Sequence, residues 1–526
     1  MKSRLLSALC ALSLLIPAAL PAARAQVNLP ALGDSVSEEF SVGMERRLGD
    51  QIMREIRRDP DYFDDPVLLE YLQSIWQPLM QAAKQRGDVA AESGDRFAWE
   101  AFLVRDRSVN AFALPGGFVG VHLGLIAVTA SRDELASVLA HELSHVTQRH
   151  IARSIVNSKR QSMLGLAAMI LGLLAASRSD SADGANAAIA GGQAAMLQGQ
   201  LNFSRDMERE ADRVGFALLS GAGFAPAGMA SMFQKLENAY RLNDSSSFPY
   251  LRSHPLTSER IGEARARLGT GPHANPLPRA GEGTSSALEH AVMQARARVL
   301  MDPRAQVLQR VQQLDTNAAA LSSPAERLAA LAASALASGL LGDGARADKA
   351  VQAALALARS DPRAERALVM LQAQLWQERG DAARAQKALA PYSSDGSRAA
   401  SMLRAQIALS PALNDGEALR RSAGEMQTRV ALAPLDATAW TLLAQLQDRL
   451  GQPLRALRAH AEARYAIGDL SGAVDRLRAG LREGRRGGTD FVEVSVLEAR
   501  LRDVDAERRA LAAELRSAGR APPEDR

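Results

Sequence analysis

Apolar residues recur at three- and four-residue spacing over 36–58 (VSEEFSVGMERRLGDQIMREIRR) and 66–84 (PVLLEYLQSIWQPLMQAAK), the period of amphipathic helices. The pattern then shortens to β-prone runs at Phe97–Val104, Ser108–Leu114 and Gly117–Val121, broken by the turn Pro115-Gly116-Gly117. Two helices followed by a small antiparallel sheet are therefore expected. Helical spacing returns over 131–157 and again from before residue 206. Between them, Met163–Ala176 (MLGLAAMILGLLAA) is uncharged and apolar but too short for a bilayer, which needs about 20 residues. It reads as a buried or interfacial helix, or else as a mobile flap or membrane-touching element, because a Ser-, Gly- and Ala-rich stretch follows it.

Gly, Pro and Ser crowd together in GTGPHANPLPRAGEGTSS, and beyond that stretch the pattern is almost wholly helical with regular Gly and Pro stops. Pro434, Trp440, Leu443, Ala444, Gly451, Ala456 and Ala463 follow the order of a tetratricopeptide (TPR) repeat. Gly380 is followed five positions later by Ala385, and Gly468 by Ala473, in the same phase. The expected class is mainly α: an α+β domain at 26–268, a linker at 269–286, a TPR-like all-α domain at 287–518 and a disordered tail at 519–526.

Composition agrees with helix, since aromatics make up only 4% of the chain. The 63 basic and 59 acidic residues leave a net charge of +4, with none of the clustering that nucleic-acid binding requires. Residues 1–25 have the form of a secretory signal peptide: Lys2 and Arg4, then a short apolar stretch, then Ala23-Arg24-Ala25 as a cleavage site. Its removal takes away Cys10, the single cysteine, which suits an oxidising compartment such as a periplasm.

The chemistry concentrates at His141-Glu142-Leu143-Ser144-His145. Residues i and i+4 share one helix face, so both imidazoles can bind one Zn²⁺ while Glu142, beside the metal, serves as general base. Zinc needs a third protein ligand. Gln148 and Ile151 do not fit the metzincin pattern, and His150 is one position short of it. The later run NFSRDMEREADRVGFALLSG supplies Glu208 as that ligand, with Asp212 one turn on to orient an imidazole. Glu210 points about 200° away from Glu208 on the same helix. His122, His150, His273, His290 and His460 have no such partners in the sequence and read as packing or surface residues.

HELSH and FSRDMEREAD, preceded by NAFALPGG and followed by SHPLTSER, resemble the HtpX/BepA-like zinc endopeptidase family over about residues 36–268. That family is related in its core to the CAAX prenyl proteases, a membrane-bound alternative disfavoured by the missing hydrophobic spans. The resemblance implies one Zn²⁺ per subunit and an edge strand at Asn110, Ala111, Phe112, Ala113, Pro115 and Gly116 on which extended substrate is laid. It implies that His254 approaches the active site, as oxyanion donor or as a fourth zinc ligand that keeps the enzyme latent, with Arg260 nearby. The signal peptide and repeats resemble periplasmic members of the family that supervise outer-membrane protein assembly. This implies unfolded or stalled outer-membrane proteins as substrates, the assembly machinery as partner of the repeats, and peripheral membrane contact through 163–176. That segment lies between the two ligand motifs, where a lid would sit. A chaperone or scaffold with marginal peptidase activity is the alternative.

Overall fold

The computed structural model describes residues 40–157, 204–241, 249–269, 287–487 and 490–517. The signal segment, the apolar run 163–176, His273, the linker beyond Gly269 and the tail at 519–526 lie outside them. Helix α1 (Val42–Ile56) and helix α2 (Pro66–Arg86) form where the apolar period predicts them, with strand β1 (Tyr62–Phe63) between. Asp65 caps α2 through Leu68 N at 2.9 Å, and Pro66 opens it. Leu68, Leu72, Ile75, Trp76 and Leu79 then line one fully buried stripe.

The sheet departs from the expected pattern. Strands β2 (Glu100–Val104), β3 (Ala111–Leu114) and β4 (Phe118–His122) give the order β1-β2-β4-β3. The β3–β4 pair is antiparallel, closed by Gly116 and Gly117 at φ 77° and 89°, but β2 and β4 run parallel. Burial supplies the reason. All five residues of β4 are buried, so this strand takes the centre, while half-exposed Phe112 and Ala113 put β3 at the edge. β1 escaped the sequence pattern because two residues carry no period.

Helices α3 (Leu123–Val128), α4 (Arg132–Thr147), α5 (His150–Asn157), α6 (Arg205–Gly221), α7 (Ala227–Arg241), α8 (Tyr250–Ser253) and α9 (Ser258–Gly269) complete the first half. The expected helix over 131–157 is split: Arg149, at φ 51°, ends α4 and starts α5 in a new direction. Among the described residues no helix is long and apolar enough to cross a membrane.

Helix α10 (Ala287–Leu300) opens the helical-repeat half, yet it packs into the same hydrophobic cluster, which runs from Val42 to Leu375. Carboxylates around the start of α2 bind the repeats. Asp65 accepts from Arg296 at 2.6 and 2.8 Å, Asp64 accepts from Arg398 at 2.7 Å, and Glu70 lies 2.9 Å from Arg366. In the repeats, Gly380, Gly451 and Gly468 all adopt positive φ, and the residue five positions later (Ala385, Ala456, Ala473) is fully buried. Gly342 and Ala347 follow the same rule, a fourth instance. Only a small side chain fits where successive helices cross at these points.

His290 on α10 receives the Tyr71 hydroxyl at Nδ1 (2.5 Å) and donates from Nε2 to the Thr129 carbonyl at 2.8 Å. Burial pushes its pKa down to about 4, so the folded chain holds it neutral. Between about 6.5, its unfolded value, and 4 the unfolded state binds the extra proton, so stability falls as pH drops through that window. The whole effect is about 3 kcal/mol. Urea unfolding at pH 7, 6 and 5 should show a steeper acid loss for wild type than for His290→Asn; parallel losses would refute this.

Candidate metal centre

Helix α4 is held at the middle of the molecule. Ser131 caps it through Glu134 N at 3.2 Å, and every residue from Arg132 to Val146 is buried. His141 and His145 therefore project from one face into the interior, one turn apart. Helix α6, capped by Ser204 through Met207 N at 3.2 Å, crosses α4 closely because Gly215 has no Cβ. A Cβ there would meet the Ala140 backbone at 3.2 Å. That approach places Glu208, in the favourable first turn of α6, against both imidazoles.

The donor atoms converge. His141 Nε2 and His145 Nε2 are 3.0 Å apart, and Glu208 lies 3.5 Å from each. His254, which ends α8, turns its Nδ1 to within 3.3 Å of His141 Nε2 and 3.0 Å of Glu208 Oε1. All four donors lie within 4.8 Å of one another and are buried. Ligands at 2.0–2.1 Å around a tetrahedral ion stand about 3.3 Å apart, so this set fits zinc in number, type and spacing.

Surrounding groups orient the donors. Asp212 Oδ1 is 3.0 Å from His141 Nδ1, and Arg260 grips Asp212 with Nε and Nη2 at 2.6 and 2.8 Å. Arg260 Nη1 also reaches Glu208 Oε2 at 2.9 Å. Burial opposes the charge on Glu208, but His254 and His141 beside it hold it far below the usual carboxylate range. Burial likewise opposes protonation of His141, yet Asp212 and Glu208 push it up to about 10. Burial and the neighbouring His141 charge keep His145 neutral.

Glu142 stands apart from the donor set. It is fully buried, burial raises its pKa, and neither oxygen has a hydrogen bond of normal geometry among the described residues. His254 Nε2 is 3.5 Å from Oε1, and the Ala113 amide of β3 faces the carboxylate. The strand expected to carry substrate is thus the sheet edge beside this residue: Ala111, Phe112 and Ala113 lie in β3, Asn110 precedes it, and Pro115 and Gly116 form its turn.

Two further side chains meet the donor histidines. Tyr250 stacks on His254 with ring centroids 4.6 Å apart, a contact that no spacing in the sequence announces. His150 is fully buried with Nδ1 2.9 Å from His145 Nδ1, and burial pushes its pKa down to about 4. Glu210, turned away from the donors as expected, meets His150 Nε2 at 3.1 Å. Of the remaining histidines, His122 is buried beside the Ser108 hydroxyl, and His460 lies 3.6 Å from Asp448.

Residues 69–268 match the sequence profile of peptidase family M48. The chain is similar to the beta-barrel assembly-enhancing protease of Escherichia coli K12, 34% identical over 240 residues, 46% of this chain and 47% of that protein. It is 36% identical to the protein of that name from Yersinia pestis over 246 residues, 46% of this chain and 48% of the relative. It is also 29% identical to mitochondrial metalloendopeptidase OMA1 of Saccharomyces cerevisiae over 197 residues, 36% and 53% of the two chains. The chain thus spans about half the length of the curated relatives it matches. The His141, His145, Glu208 and His254 cluster, the group among the described residues that could hold a metal ion, lies within the matched residues.

Proposed function

We propose that this chain is an exported, periplasmic zinc-dependent endopeptidase that acts in the quality control and assembly of outer-membrane proteins. In this reading residues 26–268 form the protease domain, and the TPR-like domain at 287–518 recruits substrate or assembly machinery. The observation that carries it is the buried Glu142 carboxylate, without a standard hydrogen bond among the described residues, beside a set of four zinc-type donors. The names of the bacterial relatives support the choice of substrate.

His141, His145 and Glu208 would hold zinc, which when bound supplies Lewis acidity that brings the pKa of water toward 7. Glu142 accepts the proton of the attacking water and returns it to the leaving amine. β3 pairs its free backbone edge with an extended substrate, aligning the scissile carbonyl with Glu142 without demanding a sequence. Asp212 and Arg260 keep His141 and Glu208 in place.

His254 decides whether the site is open. Its Nδ1 lies among the donors, so His254 would serve as a fourth protein ligand to a bound zinc and hold the enzyme latent. A scaffold with marginal peptidase activity draws its support from that same closure. Zinc content and casein cleavage, compared for wild type and His254→Ala, test both readings. We expect one zinc per chain in each and several-fold faster cleavage by His254→Ala; slower cleavage with zinc retained would make His254 an oxyanion donor instead. A wild-type chain that binds no zinc would defeat the protease reading altogether.

A further inference from the structure

The break after Thr147 gives His150 a task that an unbroken helix would deny it. Continued at about 100° per residue, α4 would carry His150 about 140° round from His145. Instead Arg149 takes the left-handed conformation, at φ 51°. Its guanidinium is held in place, donating to Glu45 Oε2 at 3.0 Å and to the Phe40 carbonyl at 2.8 Å. A left-handed arginine costs about 1–2 kcal/mol, and these buried bonds offset it. The reversal carries the His150 ring back onto His145, Nδ1 to Nδ1 at 2.9 Å.

Counting protons fixes the direction of that contact. His145 presents Nε2 to His141 Nε2 at 3.0 Å and to Glu208 Oε1 at 3.5 Å, so Nε2 is its donor atom toward a metal. A neutral imidazole that uses the Nε2 lone pair must carry its proton on Nδ1. His145 Nδ1 therefore donates and His150 Nδ1 accepts. His150 then holds its own proton on Nε2, which faces Glu210 Oε2 at 3.1 Å. The same oxygen receives Arg153 Nη1 at 2.7 Å, which keeps Glu210 ionised and in position.

We propose that His150 and Glu210 are positioning residues that lock His145 in the Nδ1–H tautomer and aim its Nε2 at the metal. The arrangement completes a symmetry of roles along α6. Asp212 orients His141 directly, and Glu210, two residues earlier and on another face, orients His145 through an intervening imidazole. One helix thereby carries a ligand and the orienting carboxylates for both histidines of α4. The proposal rests on the metal-centre reading above.

The test measures zinc affinity by competition with a chromophoric chelator, alongside thermal unfolding of the metal-free chains. Asn places its Oδ1 where the His Nδ1 acceptor stood, whereas Leu fills the space without an acceptor. His150→Leu should weaken zinc binding by about 10–100-fold, and His150→Asn should stay within about three-fold of wild type. Equal affinities for the Asn and Leu variants would overturn the proposal, because packing alone does not distinguish an acceptor. Should His150→Leu fail to fold, Glu210→Ala against Glu210→Gln decides it. Gln keeps an acceptor oxygen, so the Ala variant should bind about ten-fold more weakly than the Gln variant, and equality overturns the proposal. His141→Ala, which removes a ligand, separates the two readings: wild type binding no more zinc than His141→Ala defeats the metal centre, whereas normal zinc with indifferent His150 and Glu210 variants defeats only the relay.

Discussion

Replacing Glu142 with Gln should lower casein cleavage by about 10²–10⁴-fold while zinc content stays at the wild-type level. The amide has the volume of the carboxylate and leaves His141, His145 and Glu208 untouched, so the ligands keep their geometry. What it loses is the capacity to accept a proton. Glu142 is well placed for that capacity to matter: fully buried, raised in pKa by that burial, and without a hydrogen bond of normal geometry among the described residues. A buried carboxylate left in this state costs stability, which a purely structural residue would not be expected to keep. Quantifying released peptides beside bound zinc gives the answer. Cleavage by Glu142→Gln near the wild-type rate would remove the general base, and full rescue of the cellular phenotype by an inactive variant would move the function to the repeats.

The second large effect is on stability. Arg260→Met should destabilise the metal-free chain by about 3–5 kcal/mol, since it strands buried carboxylates rather than removing a pair. Asp212 loses a bidentate partner at 2.6 and 2.8 Å, and Glu208 loses a contact at 2.9 Å. Burial opposes the charge on Asp212, and it is the Arg260 and His141 contacts that keep it ionised. Zinc should restore part of the loss by taking over the charge of Glu208, so the gap between wild type and variant should narrow when metal is added. Arg260→Lys keeps the charge without the planar fork and should fall between the two. Urea midpoints in chelator and in zinc measure all of this. An unchanged midpoint for Arg260→Met in chelator would show that Arg260 does not hold these carboxylates.

Much of the centre was legible because helical spacing is local. His141 and His145 share a face by virtue of being four apart, and the same arithmetic pairs Glu208 with Asp212. The repeat phase was legible for a related reason: a left-handed turn demands glycine, and the helix crossing five residues on demands alanine. Gly380 with Ala385 and Gly468 with Ala473 declare this in the chain itself. The parallel pairing of β2 with β4 was not legible, since strand order depends on which run is buried on both faces. His150 is buried, as a packing residue would be, but its contact with His145 was not legible, because it depends on Arg149 leaving the helical region, a conformation that Glu45 and Phe40 hold from over 100 positions away. Tyr250 stacks on a histidine that only the folded chain brings to the donors.

By itself, then, the sequence determined which side chains can bind a metal and how they are grouped on α4 and α6, because those groupings are set within one or two helical turns. Tertiary structure decided the rest. It brought α6 against α4 over Gly215, closed the donor set with His254, put the β3 edge beside Glu142, and tied the repeats to α2 through Asp64, Asp65 and Glu70. Each of these joins groups tens to hundreds of residues apart, and such contacts follow from burial and charge pairing in the packed molecule rather than from any local period.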